Sequence, residues 1–222
     1  MINLHYGCGV EVAPGWWNCD ASPTLYLQRL PVVGPLFTLM LSPRFPSIIR
    51  FGDIVRGLPL AESSCELAYC SHMLEHLALE DCRAALRNTF RYLRQGGVFR
   101  LVVPDLEQHI LSYTESTDAA AALRFMQWTN LGRTTRPRGM LRSIKHSFGN
   151  QAHLWMWDYK SLRAELEAAG FRDIRRCQLG DAKQDAFREV ENAARFEHAL
   201  AIECSKPLSM ISEPDEPFPS DT

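Results

Sequence analysis

The sequence predicts a doubly wound α/β fold: a mostly parallel sheet with an antiparallel strand at its C-terminal edge. Three observations predict it. The chain opens on a short apolar run, a glycine turn, and a second run ending in a carboxylate. Segments of strand length then alternate with segments whose apolar residues recur every three or four positions. Finally, Val98–Val103 is apolar throughout except at Arg100, as expected of a strand buried on both faces of a parallel sheet.

Taken in order, Ile2–Tyr6 is the first strand and Trp16–Asp20 the second. Only residues 7–15 separate them, too few for a crossover helix, so one turn or an irregular loop is expected there. Residues 25–49 form a greasy insertion. Pro31, Pro35, Pro43 and Pro46 break it, and Arg29 and Arg44 flank it, so it cannot be a transmembrane segment. It reads as a buried or lid-like insertion, or as a membrane-interface or partner-docking surface, and it favours a homodimer. Ser47–Phe51 reads as the third strand and Cys65–Cys70 as the fourth. Leu79–Arg94 reads as a helix, with Cys82, Leu86, Phe90 and Leu93 on one face, acids in its first turn and Gly96-Gly97 as its stop. Residues 105–131 read as mostly helical, and Asp158–Ala169 as a helix capped by Asp158 and closed by Gly170. Phe171–Gln178 and His198–Cys204 are two late strands. Arg100 is expected to run out at an edge or to pair with Glu66 or Asp105.

At 222 residues the chain is read as a single domain over 1–206, with insertions at about 21–50 and 106–157. The Pro-, Ser- and acid-rich tail, 207–222, reads as disordered. The net charge of −2 offers no global field for nucleic acid. Seven scattered cysteines without a Cys-x-x-Cys pair argue against a disulfide framework, and for a reducing cytoplasmic compartment. The opening MINLHYGCG lacks the basic and apolar regions of a signal peptide.

Ligands of doubly wound sheets sit beyond the carboxyl ends of the strands. Here those ends carry Gly7-Cys8-Gly9, Asp20, Asp53, Ser71-His72 and Pro104-Asp105. Glycine allows close backbone approach, and an acid at the next strand's tip can accept two ribose hydroxyls, which suits a nucleoside ligand.

In this order, INLHYGCG, PGWWNCDASP, GDIVRGLPLAESSCELAYCSHMLEHL, LRQGGVFRLVVPDLE and HLWMWDYKSLRAELEAAGF resemble the class I S-adenosylmethionine-dependent methyltransferases. More narrowly, they resemble the small bacterial type 11-like group. The resemblance implies a Rossmann-like methyltransferase fold with S-adenosyl-L-methionine as cofactor. It implies that Tyr6, Gly7, Cys8 and Gly9 line the methionine end and that Asp20 holds the ribose. It further implies that Asp53 and Ile54 face the adenine, and that Ser71 and His72 lie beside the methyl group. The third glycine of the usual pattern is missing: Val10, Glu11, Val12, Ala13 and Pro14 follow Gly9. That absence and the short 7–15 connection also count against a dinucleotide-binding oxidoreductase.

His72-Met73-Leu74-Glu75-His76 matches the H-x-x-E-H pattern of zinc peptidases, whose histidines share a helix face. Because it follows a strand inside the methyltransferase-like stretch, it is read as a polar pair opening a helix, and no metal is assigned. Ala119–Trp157 contains no Asp or Glu but holds Arg124, Arg133, Arg136, Arg138, Arg142, Lys145, His146 and His153. This basic stretch reads as a solvated loop or as a lid for an anionic acceptor, with Arg133, Arg136, Arg138 and Trp155 as candidate substrate contacts. His72, His146 and His153 are the candidate catalytic residues, since imidazole titrates near neutrality. The sequence thus points to methyl transfer onto an oxygen or nitrogen of a small molecule or sugar. The alternative is a noncatalytic module docking a partner through the apolar insertion.

Overall fold

The computed structural model describes residues 1–132 and 152–208. Among the described residues, seven strands form one sheet: β1 (Ile2–Tyr6), β2 (Trp16–Asp20), β3 (Arg50–Phe51), β4 (Cys65–Ser71), β5 (Leu93–Pro104), β6 (Arg172–Arg176) and β7 (Ala199–Ser205). Their spatial order is β3-β2-β1-β4-β5-β7-β6. The chain reverses its direction of travel across the sheet between β1 and β4, so the switch-point crevice opens there. β1 pairs in parallel with β2 and with β4, and β4 in parallel with β5. β7 is the antiparallel strand and the C-terminal one, running from Val98↔Ser205 to Pro104↔Ala199 against β5. It slots between β5 and β6, so β6 takes the outermost place.

Side-chain alternation divides the core in two. On one face Leu4, Tyr6, Ala68, Cys70, Phe99, Leu101 and Val103 meet α3 (Leu79–Tyr92) and α6 (Tyr159–Ala168). Cys82, Ala85, Leu86, Thr89 and Tyr92 make the buried stripe of α3, at helical spacing. Asp158 caps α6 in a reciprocal capping box with Ser161. Arg83 clamps α3 to α6 through two 2.8 Å bonds to Glu165. The opposite face carries Trp16, Leu67, Tyr69, Val102 and Ala201 and is covered by Phe187 and Val190. Those two lie on or beside the 3-10 turn Asp185–Glu189, which precedes the short helix α7 (Ala193–Phe196).

Arg100 lies on this second face, 1% exposed, and its predicted partners are corrected. Glu66 pairs with Arg94, and Asp105 with Arg176. Arg100 instead bonds Glu203, its register partner on β7, at 2.8 Å, Asp181 at 3.0 Å, Glu191 at 2.7 Å and the Gln178 carbonyl at 2.7 Å. Glu191 is itself buried, with 2% of its side chain exposed. The sequence hid this because Asp181 and Glu191 sit on an irregular segment that folds back over the sheet.

Three boundaries also move. The third strand shrinks to Arg50–Phe51, because Ile49 N–H turns back onto the Pro46 carbonyl. The long helix ends at Tyr92, whose hydroxyl is held by the backbone of Leu58 at 2.6 and 3.0 Å. Leu93 therefore enters the sheet directly, opposite Cys65. Residues 105–131 are helical as expected, over α4 (Leu106–Thr114) and α5 (Ala121–Trp128). The 7–15 connection contains no helix.

The greasy insertion folds into α1 (Pro23–Gln28) and α2 (Gly34–Met40). Leu25, Phe45 and Ile49 pack on Cys8 in a small separate core. Arg29 ties the return strand down by donating to the Ile49 carbonyl at 3.1 and 3.2 Å, and Gln28 bonds Phe45 N and Pro43 O. Val32, Leu36, Leu39 and Met40 stay exposed on its outer side. No helix among the described residues is long and apolar enough to cross a membrane.

Replacing Arg100 by Met takes the buried cation from Glu191 and leaves Asp181 and Glu203 to Arg175 alone. The expected cost is about 3–5 kcal/mol of unfolding free energy, read by urea denaturation, as for other broken buried ion pairs. A loss below about 1 kcal/mol would mean that Asp181, Glu191 and Glu203 relax into water as exposed pairs do.

Candidate active site

The cofactor side of the rim is built from backbone. Gly7 and Gly9 both adopt left-handed conformations, with φ of 63° and 56°. A Cβ on Gly7 would stand 2.5 Å from Met73 Cγ, so β1 can meet the residue after His72 only through a glycine. A Cβ on Gly9 would meet nothing within 4 Å, so open space lies above that turn. Gly9 N–H donates to Asp20 Oδ2 at 2.9 Å, and Ser22 N–H to Asp20 Oδ1 at 2.7 Å. Each oxygen retains acceptor capacity, because an ionised carboxylate offers about four lone-pair sites. Gly52 N–H bonds the Asp20 carbonyl at 3.1 Å, which brings Asp53 to the same rim. Asp53 is turned partly inward, accepting from Val55 N–H at 2.9 Å with Arg56 at 3.5 Å. This open glycine turn beside a half-satisfied carboxylate fits a nucleoside ligand.

Three residues predicted to line the cofactor have buried side chains. The Tyr6 side chain is buried toward α3, where its hydroxyl accepts from Thr89 at 3.1 Å, and only its backbone reaches the rim. The Cys8 thiol points into the small core under the insertion, and burial pushes it up to about 12. Its role is to seat α1 beside the glycine turn. Ile54 is buried in the main core with its carbonyl taken by Asn88 at 2.7 Å.

Past β4 the chain makes a strained turn. His72 has φ 50°, in the left-handed region that non-glycine residues rarely occupy. Its N–H bonds the Val102 carbonyl at 2.9 Å. Its Nε2 lies 2.8 Å from the Arg195 carbonyl and must therefore donate. Its Nδ1 faces Glu75 Oε1 at 3.3 Å. Burial works against its protonation, but the Glu75 carboxylate and the Arg195 carbonyl outweigh it and raise its pKa. His72 to His76 is not one helix, since only Leu74–His76 forms a 3-10 turn.

Beyond His72 opens a cavity of about 630 Å³. Pro104 at the end of β5 and His72 form its floor, and His109, Tyr113, Arg124 and Trp128 of α4 and α5 its wall. His153 and His198 complete it. Burial, and His153's neighbours His76 and His72, hold the His153 imidazole below its usual pKa against the pull of Glu75. Burial and then His198 do the same to His109. Arg124 is paired with Asp118 at 2.6 Å. Trp155 lies outside this cavity, tilted against Trp157. His146, Arg133, Arg136 and Arg138 fall outside the described residues.

The sequence reading missed His109, Tyr113, Trp128 and His198. A signal existed: His109 and Tyr113 stand four apart, and Ala121, Arg124, Phe125 and Trp128 recur at helical spacing, so each helix turns one aromatic face inward. His198 offered none, because it sits in a tight turn before β7, with φ 52°.

Among solved structures of similar fold, YcgJ of Bacillus subtilis is 15% identical, with 92% of this chain and 91% of that one covered and a TM-score of 0.47. An SAM-dependent methyltransferase from Archaeoglobus fulgidus is 16% identical over 91% and 85%, with a TM-score of 0.43. Human N-acetylserotonin methyltransferase in complex with SAM is 17% identical over 93% and 48%, with a TM-score of 0.45. No curated protein sequence matches the chain. The family model described as Methyltransferase domain matches residues 22–175, more than half of the chain, beginning just after Asp20 and ending within β6. The chain therefore belongs to the methyltransferase domain family, and S-adenosyl-L-methionine is its methyl donor.

Proposed function

We propose that this methyltransferase acts on an oxygen of a small hydroxylated molecule, a sugar included, that enters the cavity beyond His72. The cavity itself carries this reading. At about 630 Å³ it lies in the range of small-molecule sites, and imidazoles and aromatic rings line it. When bound, the cofactor supplies a methyl group on a sulfonium whose positive charge is lost on transfer. The protein's task is therefore orientation and exclusion of water more than acid catalysis. In this reading Asp20 holds the ribose hydroxyls, and Gly7 and Gly9 let the backbone approach the methionine end. The insertion, seated on Cys8, covers that end from above.

His72 is then a positioning residue. With Nε2 donating to a carbonyl and Nδ1 turned to a carboxylate, it has no lone pair free to take an acceptor's proton. Arg133, Arg136 and Arg138 extend the proposal to a phosphorylated or carboxylated acceptor. We assign the enzyme to the cytoplasm, in keeping with seven free, buried cysteines.

Two outcomes test this. Asp20→Ala removes two charge-assisted hydrogen bonds to a ribose, so S-adenosylhomocysteine binding by calorimetry should weaken at least ~100-fold. Unchanged affinity would place the nucleoside elsewhere. Incubation with methyl-labelled S-adenosylmethionine and a metabolite extract should yield a labelled small product. Its retention on anion exchange, reduced in amount by Arg133→Ala, supports an anionic acceptor; a neutral labelled product removes the basic stretch from the site.

A further inference from the structure

Glu75 is the least comfortable side chain among the described residues. It is 0% exposed, and neither carboxylate oxygen has a hydrogen-bond partner. A buried ion of this kind costs several kcal/mol unless a cation or donors face it. Among the described residues, the groups that face it are imidazoles. His72 Nδ1 stands at 3.3 Å without hydrogen-bond geometry, and His153 Nε2 at 4.0 Å. One ligand atom each from Glu75, His76 and His153 lie within 4.8 Å of one another.

The two histidines are already in the form a metal needs. His76 Nδ1 lies 3.1 Å from the Ala152 carbonyl, which can only accept, so Nδ1 carries the proton and Nε2 keeps its lone pair. A carbonyl accepting from the far nitrogen is how metal-ligating histidines are usually held. His153 Nε2 accepts from the Asn130 amide at a long 3.4 Å, so its lone pair becomes a metal ligand once that weak bond is displaced. The Glu75 carbonyl accepts from both Leu154 N–H, at 2.8 Å, and Trp155 N–H, at 3.1 Å, which pins the His153 strand to the Glu75 turn. The backbone is thus fixed, and only the side chains must close. Ligand atoms at about 2.0–2.1 Å from a tetrahedral ion stand about 3.4 Å apart, so the closure is on the order of 1 Å.

We propose that Glu75, His76 and His153 bind a divalent transition-metal ion, Zn²⁺ in type, which takes the acceptor's hydroxyl from the cavity as its open ligand. Two imidazoles and one carboxylate suit such an ion better than Mg²⁺ or Ca²⁺, which prefer oxygen. Three protein ligands with one position free is the pattern of catalytic zinc. His153 belongs both to the cluster and to the cavity wall, which sets the cluster beside the space an acceptor would enter. The ion also supplies the base that His72 cannot. A bound hydroxyl is acidified and gives its proton to water in the cavity. Its oxygen pair then forms the new bond to the methyl carbon, while the carbon–sulfur pair stays on sulfur, which ends neutral. This inference rests on the methyltransferase reading for its chemistry but not for its metal.

The test is calorimetry on the chelator-stripped full chain with Zn²⁺ alone, beside a separate titration with S-adenosylhomocysteine. The expected result is one Zn²⁺ per chain, with affinity at least ~100-fold weaker in His153→Ala and in Glu75→Gln. Zn²⁺ at a hundredfold excess over its Kd should raise the wild-type Tm by about 5 °C or more, and leave both variants unmoved. Stripped Glu75→Gln should be at least as stable as the stripped wild type, because it removes a buried carboxylate that no hydrogen bond satisfies. A purely structural Glu75–His72 pair predicts the reverse, a stripped variant that is weaker than wild type. Methyl transfer by the wild type should fall with chelator and return with Zn²⁺ or Mn²⁺. No Zn²⁺ binding, or equal binding by Glu75→Gln, overturns the site. Binding of Zn²⁺ without S-adenosylhomocysteine binding would keep the metal and remove the catalytic role assigned to it.

Discussion

The Arg100 cluster is the interaction on which the acceptor side depends. One guanidinium, buried in the middle of β5, holds three carboxylates and a carbonyl drawn from β7 and from residues 178–191. That irregular segment is the lid on the second face of the sheet, and it has few regular backbone bonds of its own. Its anchoring also fixes two groups further along the chain: the Arg195 carbonyl that orients His72, and His198 in the cavity wall. A charge in the core thereby sets the position of a side chain on the turn after the neighbouring strand. A hydrophobic residue at position 100 could fill the same volume but could not gather Asp181, Glu191 and Glu203 into one place.

The two halves of the site obey different rules. The half proposed for the cofactor is made from strand ends and the turns that leave them, so its geometry derives from the sheet: Gly7, Gly9, Asp20 and Gly52 are hydrogen-bonded or packed neighbours because β1, β2 and β3 are. The half proposed for the acceptor is made from the insertion helices α4 and α5 and from loops. Its specificity lives in side chains that the sheet does not dictate. Glu75 stands at the junction, on the turn that leaves β4, a buried carboxylate without donors among the described residues.

Legibility from sequence divides along the same line. The strand–glycine–acid opening, the unbroken Val98–Val103 run and the Asp158 cap each encode a local structure, and each forms as read. The failures are long-range or conformational. Arg100 found partners 81 and 91 residues away, which no local pattern marks. Tyr6 and Cys8 are close neighbours in the glycine motif, yet their side chains turn into two separate cores, which no local pattern marks. The H-x-x-E-H pentad reads as a polar pair opening a helix; with His72 in a left-handed conformation only a 3-10 turn forms, and His153 joins Glu75 and His76 from a distant segment. Tertiary approach of the 152–155 segment, not spacing, assembles that cluster.

A crystal structure of the chain with S-adenosylhomocysteine tests the central claim most directly. Both ribose hydroxyls should lie on the Asp20 carboxylate, the adenine beside Asp53, and the sulfur turned past His72 into the cavity walled by α4 and α5. A ligand whose ribose lies away from Asp20, or whose sulfur faces away from that cavity, would contradict it.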